Sequence, residues 1–113
     1  MKRDRAYLKH ILDAILNVEK FIEGINKETF LGNVEKQYAV LRGLEIIGEA
    51  VKNLSEELKE KHPNIPWKEI AGMRDKLIHQ YFGVNLDLVW ETINTKLPEL
   101  KSQILIMLKE TEC

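Results

Sequence analysis

The chain has 113 residues, a formal net charge of −1, 44% hydrophobic and 31% charged residues. That length suits one domain over residues 1–113, and no apolar run approaches the roughly 18 residues that span a bilayer. A near-neutral balance excludes a protein that grips nucleic acid by bulk charge, so any RNA must be held by a local cluster.

The N-terminal Met1-Lys2-Arg3-Asp4-Arg5 is charged and leads into no signal-peptide core, which makes the cytoplasm the expected compartment, with no membrane partner. Lys2, Arg3, Arg5 and Lys9 are the one evident basic concentration, which a solvated helix start explains equally well. A first helix is predicted from about Asp4 to Glu23, with Leu8, Ile11, Leu12, Ile15, Leu16 and Ile22 in one stripe and Gly24 closing it. Ile25 to Asn33 reads as a connection with one short turn near Phe30.

A second helix is predicted from about Val34 to Lys61, burying Tyr38, Leu41, Leu44, Ile47, Val51, Leu54 and Leu58. Gly43 and Gly48 each cost it roughly 1 kcal/mol of helix propensity, which points to close approach of another helix. His62-Pro63-Asn64-Ile65-Pro66 breaks the chain, and Pro66 opens a third helix to about Phe82, with Ile65 placed to staple onto Ile70. Gly83-Val84-Asn85 ends that helix and caps the next. The fourth carries Leu86, Val89, Trp90, Ile93 and Leu97, and Pro98 should kink or split it before Leu100, Ile104, Leu105 and Leu108. With no strand-like alternation, the expected fold is all-α, an antiparallel bundle of four to five helices. So small a core would gain stability from oligomerisation.

The stretch Met73-Arg74-Asp75-Lys76-Leu77-Ile78-His79-Gln80-Tyr81 concentrates the chemistry. At about 100° per residue, Arg74 and Tyr81 fall roughly 20° apart on a helix, while His79 lies roughly 140° from Arg74. Two solutions follow: the helix end unwinds, or a second copy completes the site. Asp75 and His79 are spaced i, i+4, so Asp75 can orient the imidazole and favour its protonated form. A capped, solvated helix terminus would use the same residue types.

This stretch resembles the R-x4-H motif of the HEPN family, with Arg74 and His79 as its fixed residues and Asp75 as the polar residue after the arginine. Tyr81 extends it to R-x4-H-x-Y, which resembles the HepT-like branch. Arg42-Gly43-Leu44-Glu45-Ile46-Ile47-Gly48-Glu49-Ala50 is similar to the branch's second-helix segment, and Pro66-Trp67-Lys68-Glu69-Ile70-Ala71-Gly72-Met73 to the approach to its motif. Val89-Trp90-Glu91 through Leu97-Pro98-Glu99-Leu100 resembles its last helix.

The resemblance implies a metal-independent endoribonuclease toxin of a type VII-like toxin–antitoxin pair, acting as a homodimer with two motifs in the cleft between subunits. Arg74 and His79 would be its catalytic pair, supported by Asp75, and Tyr81 the target of AMP transfer by a minimal nucleotidyltransferase antitoxin. No cofactor and no metal are implied. The alternative is a non-catalytic, nucleotide-binding or interaction subunit that partners the nucleotidyltransferase; a structural helical dimer is a third reading. Near-neutral charge favours the second reading, and the intact Arg74/His79 pair the first.

The remaining polar candidates read as structural. His10 and His62 are isolated surface histidines; Glu45 and Glu49 border the site or pair with a base such as Arg42. Trp67 and Trp90 read as core or interface anchors rather than base-stacking platforms, and Cys113 has no partner for a disulfide or zinc site.

Overall fold

The computed structural model describes the backbone of residues 2–79 and 85–111, and the side chains of 3–73 and 85–111. Among the described residues the chain forms six α-helices and no strand: α1 (Lys2–Phe21), α2 (Lys27–Leu31), α3 (Val34–Lys52), α4 (Glu56–Lys61), α5 (Trp67–His79) and α6 (Leu86–Glu110).

The first helix buries Leu8, Ile11, Ile15 and Val18 completely and Ala14 almost so, a stripe at i, i+3, i+4 and i+7 spacing. Leu16, expected in that stripe, is 39% exposed, because it lies a third of a turn round from Ile15. The helix ends where Gly24 takes φ 74°, a left-handed conformation glycine adopts without a Cβ penalty.

The pairing of α1 with α3 is antiparallel, since Asp4 meets Ser55 while Val18 meets Gly43. A Cβ at Gly43 would collide with Val18 Cγ2 and lie 3.8 Å from the Ala14 carbonyl oxygen. That is the close helix approach its glycine implied. The last helix runs antiparallel to α1 as well: Arg5 donates to the Leu108 carbonyl at 2.9 Å, and Lys101 reaches Glu19 at 3.0 Å. In turn α3 lies between α1 and α5, while the short α2 bridges α3 and α6.

The predicted helix over 34–61 is two helices. Its first part stops at Lys52 with Asn53 as C-cap, and α4 restarts at Glu56 with Ser55 as N-cap, its hydroxyl accepting from Leu58 N–H at 3.1 Å. The division is stabilised from outside, because Asp4 accepts both the Ser55 N–H and its hydroxyl. Tyr38, expected in the core, is 54% exposed, and Val40 takes a buried place on that helix instead. Leu44, Ile47, Val51, Leu54 and Leu58 are buried as expected.

The expected turn near Phe30 is α2, capped by Asn26 Oδ1 accepting from Thr29 N–H at 2.8 Å. Phe30 is fully buried, its ring 5.3 Å from that of Trp90. These two changes raise the expected four or five helices to six.

Asn85 caps α6 as predicted, accepting from Leu88 N–H at 3.1 Å. Of the two outcomes expected at Pro98, splitting does not occur: α6 runs through it. The proline and Asn94, whose carbonyl it leaves without an N–H, are both exposed, so water can satisfy that oxygen. On the opposite face Ile93, Leu97, Leu100, Ile104 and Met107 stay buried, and that continuous stripe favours a continuous helix.

Candidate functional site

The motif helix α5 is fixed at its start. Ile65 is buried just before it, and the Trp67 indole N–H donates to the carbonyls of Lys59 at 3.2 Å and His62 at 3.0 Å. A half-buried indole thereby ties the first residue of α5 to the end of α4. Pro66 precedes the helix by one residue, and its carbonyl accepts from Ile70 N–H at 3.1 Å. Ile70, Ala71 and Met73 pack against the core, on the side where α5 meets α3.

Arg74, Asp75 and His79 belong to the backbone of α5, which is helical through His79. Their side chains, and Tyr81 altogether, lie outside the described residues, as do the predicted helix end at Phe82, the break at Gly83 and the terminal Cys113. Unbroken helix to His79 leaves positions 74 and 79 roughly 140° apart around the axis, so unwinding before His79 does not bring them together.

The surface of α3 carries Arg42, Glu45 and Glu49, expected either to border the motif or to pair with one another. Arg42 pairs with Glu45 at 3.1 Å, as expected, with the Arg42 side chain 66% exposed. Glu49 is exposed one turn further on, and its carbonyl accepts from Asn53 Nδ2 at 2.9 Å. Across from them on α1 stand Tyr7 and His10, ring centroids 5.9 Å apart and nearly perpendicular, with the Arg3 guanidinium 5.8 Å from the Tyr7 ring. Tyr7, His10, Arg42, Glu45 and Glu49 line a cavity of about 230 Å³, with Arg3 outside its lining.

His10 is exposed, as expected, though Tyr7 packs against it. His62 is the departure: its side chain is only 14% exposed and its Nε2 lies 3.1 Å from Glu110 Oε1. Of the basic arm, Arg5 is structural: it holds the last turn of α6 through Leu108 O and Thr111 Oγ1. Trp67 and Trp90 are anchors, as expected. Sequence reading missed the grouping of Tyr7 and His10 with Arg42. A signal was present, since Arg3, Tyr7 and His10 stand at i, i+4 and i+7 on one face of α1.

Among the described residues no group of three or more His, Cys, Asp or Glu is placed to hold a metal ion, and no helix is long and apolar enough to cross a membrane.

A family profile described as Ribonuclease HepT-like matches residues 11–107, from the second half of α1 through the buried Met107. The chain belongs to the HepT-like ribonuclease family. It is 54% identical over 104 residues to a candidate RNase of Caldanaerobacter subterraneus subsp. tengcongensis, covering 92% of this chain and 93% of that one. A candidate ribonuclease HepT of Thermococcus cleftensis is 49% identical over 104 residues, 91% of this chain and 94% of the relative. A candidate RNase of Methanocaldococcus jannaschii is 47% identical over 112 residues, 98% and 93% of the two chains. No solved structure gives a significant match. In this HepT-like chain the matched region takes in all of α5, so Arg74 and His79 sit inside the shared fold rather than on an appended segment.

Proposed function

We propose that this chain is a metal-independent endoribonuclease toxin of a type VII-like toxin–antitoxin pair. The observation that carries the reading is the R-x4-H-x-Y sequence at 74, 79 and 81, beginning on α5, within a chain whose family and relatives are named for ribonuclease activity. The helical run through His79 supports a site completed by a second copy, because one ideal helix presents positions 74 and 79 in divergent directions.

In this reading the ribose 2′-oxygen attacks the adjacent phosphorus as its proton is removed. A new P–O2′ bond forms, the P–O5′ bond breaks, and the departing 5′-oxygen takes a proton. His79 moves a proton at one of these two oxygens. Arg74 stabilises the charge that builds on the phosphate oxygens, where its planar fork can address two of them. The products are a 2′,3′-cyclic phosphate and a 5′-hydroxyl, and DNA is not a substrate because it lacks the nucleophile. Asp75, one turn before His79, orients the imidazole.

Control falls to Tyr81. Its hydroxyl attacks the α-phosphorus of ATP on a nucleotidyltransferase partner and releases pyrophosphate. The phosphodiester left on the tyrosine brings a negative charge to the place a substrate phosphate would occupy.

The test is cleavage of RNA in EDTA by purified unmodified protein, beside folded His79→Ala and Arg74→Ala. Activity in the wild type alone supports the assignment. Well-folded, unmodified wild type that cuts no RNA would favour the non-catalytic partner subunit, the reading to which the net charge of −1 lends weight. Mass spectrometry of protein co-expressed with its nucleotidyltransferase tests the second half: a Tyr81 that is always bare removes the modification.

A further inference from the structure

A protein with a net charge of −1 that cuts RNA needs a local place to hold the strand. The first half of α1 and the second half of α3 provide one. Their groove, about 230 Å³, is lined by Tyr7 and His10 of α1 and by Arg42, Glu45, Ile46 and Glu49 of α3. It is smaller than a pocket for a drug-sized ligand, a size that suits one ring system.

We propose that this groove is a base-binding subsite for single-stranded RNA, walled on one side by the helix against which the motif helix packs; the proposal rests on the ribonuclease reading above. One unpaired nucleobase seats against the rings of Tyr7 and His10, and the neighbouring phosphate meets Arg42 and Arg3. Three observations converge on it. Tyr7 offers a half-buried ring whose face is only lightly covered, since Arg3 at 5.8 Å stands at the outer limit of a cation–π contact. The Arg42 guanidinium spends one donor on Glu45 and remains 66% exposed, with donors left for a phosphate. Glu45, held by Arg42 at 3.1 Å, presents a carboxylate of the kind that accepts from base amino groups. Aromatic rings beside an exposed arginine suit single-strand binding, in which bases stack and a cation meets the backbone. The α3 wall of the groove belongs to the helix on which α5, the carrier of Arg74 and His79, also packs.

The test measures binding apart from cleavage. In a His79→Ala background, anisotropy of a labelled single-stranded RNA oligonucleotide is recorded in EDTA for Tyr7→Leu, Arg42→Gln and the control Lys96→Gln, an exposed cation on α6 outside the groove. All are checked for an unchanged melting curve. The subsite predicts that the two groove variants each weaken binding about tenfold and the control less than about twofold. Arg42→Gln also lowers the salt slope by about one. In the unsubstituted protein, a 5-bromouridine-substituted RNA should crosslink to Tyr7 or His10, which needs no variant to fold. Wild-type cleavage with full RNA binding in both groove variants, or crosslinks confined elsewhere, overturns the subsite and leaves the ribonuclease standing. Groove variants that keep RNA but lose the nucleotidyltransferase partner make it a protein-docking surface and overturn it too. A wild type that neither binds nor cuts RNA removes both.

Discussion

Ser55 donates its backbone N–H and its hydroxyl to the two carboxylate oxygens of Asp4, at 2.8 and 2.6 Å, across 51 residues of sequence. The same hydroxyl oxygen accepts from Leu58 N–H and so caps α4. Asp4 is only 3% exposed, so these bonds replace its water. One carboxylate thus anchors the start of α1, the end of the α3 segment and the first turn of α4.

Replacing Asp4 by Ala should therefore lower stability by about 2–4 kcal/mol, because two charge-assisted bonds are lost and a half-buried N–H is orphaned. Asp4→Asn, which keeps one acceptor, should cost less. Urea denaturation of the two variants and of Ser55→Ala, read as a double-mutant cycle, should give a coupling well above additive error. Additive costs would mean that the two residues act separately.

Gly43→Ala should destabilise even though alanine is the better helix former by about 1 kcal/mol. The new methyl meets Val18 Cγ2, on a fully buried β-branched side chain that has little room to turn away. Overpacking of this kind costs about 1–3 kcal/mol. Val18→Ala in the same chain should relieve most of it, so the double variant should be more stable than the sum of the singles.

The sign reverses at Pro98. Replacing it by Ala restores an N–H to the Asn94 carbonyl on the exposed face of α6 and removes the ring clash, which should raise stability by about 1–3 kcal/mol. Thermal unfolding gives the answer, and an unchanged or lowered midpoint would mean that the proline shapes the packing of the α6 stripe.

Trp67→Phe tests how α5 is held. It keeps the apolar ring but loses the N–H that serves Lys59 O and His62 O, at an expected cost of about 1–2 kcal/mol. If the tie also positions α5, RNA cleavage should fall by more than stability alone accounts for when measured well below the unfolding range.

Much of this architecture is legible in the sequence because it is written in local signals. The stripes of α1 and α6, the stop at Gly24, the cap at Asn85 and the close approach at Gly43 all follow from spacing and residue type. The break at Asn53-Leu54-Ser55 does not. It holds no proline or glycine, and Leu54 and Leu58 continue the apolar stripe of α3, so local reading runs straight through it. The cap there is strengthened by Asp4, a tertiary contact that no periodicity records. Tyr38 misleads for a related reason: an amphipathic ring at a core-like spacing is as compatible with the flank of a stripe as with its centre. For the site, the residue types of Arg74 and His79 describe a helix end as well as an active site, and resemblance rather than spacing singles them out. The α1–α3 groove needed the fold, because Tyr7 and Arg42 stand 35 positions apart in the chain and meet only through helix packing.

The most direct measurement is the chemistry of the ends produced when purified, unmodified protein digests RNA in EDTA. The account predicts fragments bearing 2′,3′-cyclic phosphate and 5′-hydroxyl termini by mass spectrometry, absent with His79→Ala and with Arg74→Ala, and no cutting of the DNA equivalent. Fragments ending in 3′-hydroxyl, or cutting retained by a folded His79→Ala, would contradict it.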